Sequence, residues 1–210
     1  MEKRKHWESI YGKRDHSEQG WFTSVPEPSL SWIRSLGLSE SDSILDAGGG
    51  ASTLVDHLLE NGFARVTVAD LSAAALTQAR ERLGERASEA TWHQGDILRF
   101  DPPAESFAVW HDRAVFHFLH DEEERSLYRR RVLGAVQPGG WLILGSFRSG
   151  APDTCSGLPV RHHSADELED FFSAGFDLAK EHETVHITPG GVEQAYVFVC
   201  LQRHLAGREM

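Results

Sequence analysis

The run Ile44-Leu45-Asp46-Ala47-Gly48-Gly49-Gly50-Ala51-Ser52-Thr53-Leu54 constrains this chain more than any other stretch. Three glycines between a strand-like segment and a helix former let backbone approach a ligand closely, and the helix that follows offers it free N–H groups. A dinucleotide fingerprint needs a third glycine where Thr53 stands, and a phosphate-cradling loop needs a lysine that this run lacks. Here an acid comes before the glycines. Asp46, at the strand end, repels a pyrophosphate and suits an ammonium group or a water-bridged amine. Asp70, at the end of the next strand, stands where an acid takes ribose hydroxyls in nucleotide folds.

Around this loop, short apolar or β-branched runs alternate with helical stretches, the pattern of a parallel α/β sheet. Strands are expected at 43–46, 65–70, 90–93, 107–110 and 141–147. Helices are expected at 53–60, at 72–85 with Ser72 as its cap, and at 122–136, stopped by Pro138-Gly139-Gly140. Residues 149–159 read as a loop, and Ser164 with Glu167 forms a capping box that opens a helix over 164–172. Two final strands, 178–187 and 194–203, joined by Thr188-Pro189-Gly190-Gly191, suggest an antiparallel hairpin at the end of the sheet.

Length and composition narrow the class. At 210 residues, 40% hydrophobic and 10% aromatic, the chain reads as one soluble domain and not as a disordered segment. We divide it into a cap over 1–40, a core over 41–148, and a substrate loop with terminal hairpin over 149–210. A net charge of −11 opposes non-specific binding to a nucleic-acid backbone. Cys155 and Cys200 form no C-x-x-C pair, which points to a reducing, cytoplasmic setting. The basic start leads into no apolar stretch, so neither a secretory signal nor a membrane partner is expected.

Four motifs resemble those of class I S-adenosylmethionine-dependent methyltransferases. Asp46-Ala47-Gly48-Gly49-Gly50-Ala51-Ser52 is similar to the family's first motif, an acid followed by G-x-G-x-G, with Ser52 replacing the third glycine. Val68-Ala69-Asp70-Leu71-Ser72 resembles the second and Gly95-Asp96-Ile97 the third. Val136-Gln137-Pro138-Gly139-Gly140-Trp141-Leu142 resembles the turn before the fifth strand. The resemblance runs in order from 44 to 147. It implies a Rossmann-like, seven-stranded, mostly parallel sheet with the last strand antiparallel and helices on both faces. It also implies S-adenosylmethionine as cofactor and S-adenosylhomocysteine as product. Asp46, Gly48 and Gly50 would hold the methionine end, Asp70 the ribose, Leu71 the adenine face, and Asp96 with Ile97 the adenine edge. His111 would lie under the sulfonium.

The acceptor side is expected after the fourth and fifth strands. His111 and Asp112 are candidates for the transfer pocket, the alternative being a structural role for Asp112 with Arg113. Arg161, His162 and His163, with His186, would form a polar substrate wall, the alternative being a lid loop that ends in a helix cap. His111 and His163 are the candidate general bases, since histidine titrates near neutrality. Trp7, Tyr11 and Trp21 would close over the acceptor or, alternatively, pack as core. Cys155 beside His162 and His163 lacks convincing metal-ligand spacing, so no metal is expected. Asp112-Arg113-Ala114, the Cys155-Ser156-Gly157-Leu158-Pro159 loop and His186-x-Thr188-Pro189 resemble a bacterial subgroup distantly similar to protein-lysine methyltransferases. No Asn-Pro-Pro-Tyr follows the fourth strand, which argues against amide or base amines. The acceptor is then a small molecule or a protein side chain. The alternative is a non-catalytic nucleoside binder or a metal-assisted variant of the fold.

Overall fold

The computed structural model describes residues 2–13 and 16–205, so the ends of the expected cap and tail lie partly outside the described residues. Seven strands form one sheet in the order β3-β2-β1-β4-β5-β9-β8. β1 (Ser43–Ala47), β2 (Arg65–Asp70), β3 (Ala90–Gln94), β4 (Phe107–Arg113) and β5 (Val136–Phe147) run parallel. β9 (Glu193–Arg203) is antiparallel to both neighbours, inserted between β5 and β8 (Phe176–Ile187). The expected hairpin is therefore present, and it is the final strand that slots into the sheet's interior. Residues 149–159 carry one small addition, a two-stranded hairpin of β6 (Thr154–Cys155) and β7 (Leu158–Pro159).

Period-two alternation along the strands feeds two cores. Ile44, Val109 and Ile143 pack with Leu30 and Ile33 of α2 (Ser29–Ser35) and with Leu54 and Leu58 of α3 (Leu54–Glu60). Trp110, Leu142 and Leu144 pack on the other side with Tyr128 and Val132 of α5 (Glu122–Ala135) and with Leu168 and Phe172 of α6 (Ala165–Phe172). Helix starts follow the capping residues. Ser72 accepts from Ala75 N at 3.2 Å to open α4 (Ala73–Leu83). Both capping-box bonds of Ser164 and Glu167 form, at 2.9 and 3.1 Å.

One boundary differs in a way that matters. β4 continues three residues past the expected end at 110, because His111, Asp112 and Arg113 pair with Ile143, Leu144 and Gly145 of β5. Polar residues at the carboxyl end of a central strand read as loop from sequence, yet here they are strand, and His111 and Arg113 line the site. Among the described residues, no helix is long and apolar enough to cross a membrane.

Candidate active site

The first glycine loop leaves β1 in conformations that side chains rarely adopt. Gly48 has φ +69°, donates its N–H to Ala69 O at 2.7 Å, and would drive a Cβ into Val115. Gly50 has φ +46°, and a Cβ there would stand 2.7 Å from Tyr11 Oη and 2.9 Å from Asp70 Oδ2. Glycine is required at both positions. Arg82, on α4, ties down the loop's far end by donating to Ala51 O at 2.9 Å and Ser52 O at 2.7 Å while gripping Asp56 with two further bonds.

One cavity gathers Asp46, Gly48, Asp70, Leu71, Asp96, Ile97 and His111. Gly49 faces it and Gly50 stands behind, under Tyr11 and Asp70. Asp46 is buried; Oδ1 meets His111 Nδ1 at 2.7 Å, whereas Oδ2 has no partner. Asp70 accepts from Ser72 N at 2.7 Å. Burial pushes its carboxyl up to about 7, with Asp46 and Glu8 adding repulsion that the Ser72 amide only partly offsets. An orphaned buried carboxylate oxygen, a second desolvated acid and a loop without room for Cβ atoms suit a ligand that brings an ammonium group and a diol. These residues fit S-adenosylmethionine.

His111 has both ring nitrogens engaged, Nδ1 with Asp46 and Nε2 with Ser29 Oγ at 2.8 Å, and is 2% exposed. The order Ser29–His111–Asp46 is that of a nucleophilic triad, but Ser29 is fully buried and does not line the cavity, so the arrangement is a clamp.

The expected acceptor role of Asp112 is corrected by strand geometry. Its side chain points to the sheet face opposite His111, where it accepts from Val115 N at 2.8 Å, from Phe116 N at 3.1 Å and from Tyr128 Oη. Burial pushes this carboxyl up to about 6 against the pull of those bonds. Asp112 organises the turn after β4.

The polar wall expected from 161–163 is also absent from the cavity lining. His163 is buried, with Nδ1 2.8 Å from Ser146 Oγ and its ring tilted on Phe116 at 5.3 Å. Burial pushes it down to about 3, so it is neutral and not positioned as a base. Arg161 is exposed and donates its backbone N–H to His117 O, and His162 Nε2 lies 3.1 Å from Pro152 O. His186 Nε2 lies 2.9 Å from Gly20 O, holding the stretch that presents Trp21.

The cavity lining beyond the cofactor residues includes instead Arg113, Phe118 and Cys155 together with Trp7, Tyr11 and Trp21. Trp7 meets Phe118 at 5.3 Å and Trp21 at 5.9 Å, both edge to face. The rings of Trp7, Tyr11 and Trp21 sit on α1 (Glu2–Tyr11) and the segment after it, which is latched to the core by side chains at several points. Glu8 caps α4, accepting from Ala73 N at 2.8 Å, Ala74 N at 3.1 Å and Ser72 Oγ at 3.2 Å. Lys3 pairs with Glu124 at 3.0 Å, and His6 Nε2 lies 3.0 Å from Ser156 O. Sequence reading gave Arg113 only a structural role with Asp112, and assigned no role to Phe118 or Glu8. Arg113 was accessible, since it lies two residues beyond His111 on the same strand face; nothing local marks Glu8 as another helix's cap. Among the described residues no group of three or more metal-ligating side chains clusters.

Residues 44–140 match the sequence profile of the Methyltransferase domain family. EEF1A lysine methyltransferase 2 of Danio rerio is 25% identical over 169 residues, which span 78% of this chain and 66% of that protein. A structure solved in work on the conversion of a disulfide bond into a thioacetal group during echinomycin biosynthesis shares the fold with TM-score 0.77, at 21% identity, over 98% of this chain and 94% of that one. The Burkholderia thailandensis 1,6-didemethyltoxoflavin-N1-methyltransferase, solved with its substrate and S-adenosylhomocysteine, gives TM-score 0.72 at 20% identity over 97% and 89%. Profile, relatives and fold agree with the motifs and support a class I S-adenosylmethionine-dependent methyltransferase.

Proposed function

We propose that this protein transfers a methyl group from S-adenosylmethionine to a small molecule or a protein side chain by in-line displacement, as one domain whose first forty residues act as its cap. The unpartnered Oδ2 of buried Asp46 carries this reading, because such an atom is costly unless a cationic ligand completes it. S-adenosylmethionine, when bound, supplies a methyl group already activated on a sulfonium. The protein's remaining work is alignment and exclusion of water. The glycine loop and Asp46 set one end, Asp70 takes the ribose hydroxyls, Leu71, Asp96 and Ile97 surround the adenine, and His111 fixes Asp46. The aromatic rings of Trp7, Tyr11 and Trp21 close the other side.

With His111 clamped and His163 outside the cavity, this geometry suits an acceptor that arrives without a proton to lose. The net charge of −11 disfavours nucleic acid as that acceptor. Two free cysteines fit a reducing, cytoplasmic location. The test is calorimetric titration with S-adenosylhomocysteine, followed by its release from S-adenosylmethionine across an acceptor panel. Failure to bind either nucleoside overturns the proposal; binding with no release from any acceptor favours the nucleoside-binding alternative.

A further inference from the structure

We propose that the acceptor is a small apolar or aromatic carboxylic acid whose carboxylate is anchored by Arg113. This deepens the methyltransferase reading and rests on it. Arg113 ends β4 on the same face as His111 and lines the cavity. Its guanidinium lies 5.5 Å over the ring of Tyr196, and its buried Nε has no hydrogen-bond partner. No carboxylate pairs with it among the described residues.

Charge on the cavity is divided between its two halves. Asp46, Asp70 and Asp96 stand at or just beyond the ends of β1, β2 and β3, on the cofactor side. Lys3 and Glu124 neutralise each other at 3.0 Å. Arg113 is left as the uncompensated charge on the acceptor side, and it is positive. Its immediate surroundings are otherwise apolar or neutral: Phe118, Ala114 and the Cys155 thiol, whose ionisation burial pushes up to about 11.

An unpaired guanidinium in such a place presents a planar fork that matches a carboxylate with two parallel N–H···O bonds. An ammonium acceptor meets repulsion there, and a neutral amide forfeits the charge-assisted part of the interaction. The rings of Trp7, Trp21 and Phe118 supply flat apolar walls for the rest of the molecule. Negative selection against amines comes from the same residue that attracts acids.

Calorimetry on protein saturated with S-adenosylhomocysteine tests this with two matched series. One is indole-3-acetate, indole-3-acetamide and tryptamine; the other is 3-phenylpropanoate, 3-phenylpropanamide and 3-phenylpropylamine. The acid of each series should bind at least tenfold tighter than its amide, with the amine weakest. In Arg113→Gln the acid-to-amide ratio should fall to within twofold while S-adenosylhomocysteine affinity stays within twofold of the parent. Should that variant not fold, as judged by loss of nucleoside binding, Arg113→Lys should keep the acid preference in reduced form. Equal affinity for acid and amide, preference for the amine, or no acid bound at millimolar concentration overturns the proposal. If the parent binds no S-adenosylhomocysteine, the methyltransferase reading itself fails, a separate result.

Discussion

Asp46 and His111 are direct register partners on adjacent parallel strands, and their side chains meet at 2.7 Å between Oδ1 and Nδ1. A carboxylate only accepts, so Nδ1 carries the proton, and Nε2 faces the Ser29 hydroxyl. The ring therefore cannot turn toward an acceptor without breaking two buried bonds. Its effect is on Asp46: one oxygen is fixed by the ring, which leaves the other beside Gly49 without a partner.

Replacing His111 by Ala leaves Asp46 Oδ1 buried without a partner. That should cost about 1–3 kcal/mol of stability. S-adenosylhomocysteine affinity should drop roughly tenfold, or ~1.4 kcal/mol, because Asp46 is no longer held. Calorimetry and urea unfolding on the same preparation check both figures. Unchanged nucleoside affinity together with a large loss of turnover would restore the general-base role expected from sequence.

Asp70 gives a pH signature. Its folded value of about 7 lies above the ordinary 3.8, so the ligand-free fold holds a proton that the unfolded chain has released. That stabilising contribution is complete below 3.8 and vanishes as pH rises through about 7. A ligand that uses the ionised carboxylate must displace the proton. Affinity for S-adenosylmethionine should rise with pH up to neutrality and then level, with proton release visible in buffers of different ionisation enthalpy. Asp70→Ala should abolish the pH dependence and lose about 1.5–3 kcal/mol per charge-assisted bond. A flat affinity profile in the parent would count against the ribose assignment.

How much of this was legible depended on the range of the interaction that decides it. β2 was read to the residue, Arg65–Asp70, because alternation and its flanking turns are local. The same holds for the Ser164 and Glu167 capping box. The end of β4 was not, because His111, Asp112 and Arg113 are strand residues only by virtue of their pairing with β5. The 161–163 segment misled for a similar reason. It follows the fifth strand, which suggests the active face, but Arg161 N bonds His117 O and His163 N bonds Phe147 O. Those two long-range bonds draw the segment away from the cavity. Glu8 reaches α4 across more than sixty residues of sequence, a contact that no spacing rule encodes.

His117 should make the fold acid-sensitive. It is fully buried with neither ring nitrogen partnered, and burial pushes it from 6.5 down to about 3, with His163 and His162 adding to the shift. Its folded value lies below the unfolded one, so the stability it permits is complete above 6.5 and is lost as pH falls toward about 3. Asp70 and Asp112, shifted upward, act in the opposite direction, so the parent alone is a poor reporter. The informative quantity is the difference between His117→Phe and the parent. It should move in the variant's favour by up to ~1.4 kcal/mol per pH unit below 6.5, the linkage slope of one proton. A pH-independent difference in urea midpoints between neutral pH and pH ~4 would refute a buried neutral His117.

Arg82 should govern the cofactor loop from outside the cavity. Its guanidinium joins Ala51 O and Ser52 O to the Asp56 carboxylate, with Nη2 2.7 Å from Ser52 O and Nε 2.9 Å from Asp56 Oδ1. Four bonds from one planar group fix where the glycine turn ends and α3 begins. Lysine cannot reproduce that fork. Arg82→Lys and Arg82→Ala should both weaken S-adenosylhomocysteine binding, by about fivefold to thirtyfold if the loop loses ~1–2 kcal/mol of pre-organisation. Arg82 touches no acceptor, so turnover at saturating cofactor should stay close to that of the parent. A fall in turnover with cofactor affinity unchanged would show that Arg82 does not act through the loop. Asp56→Asn is the companion test: it keeps the shape of the contact but removes its charge, and it should weaken nucleoside binding less than Arg82→Ala because the bonds to the two loop carbonyls remain.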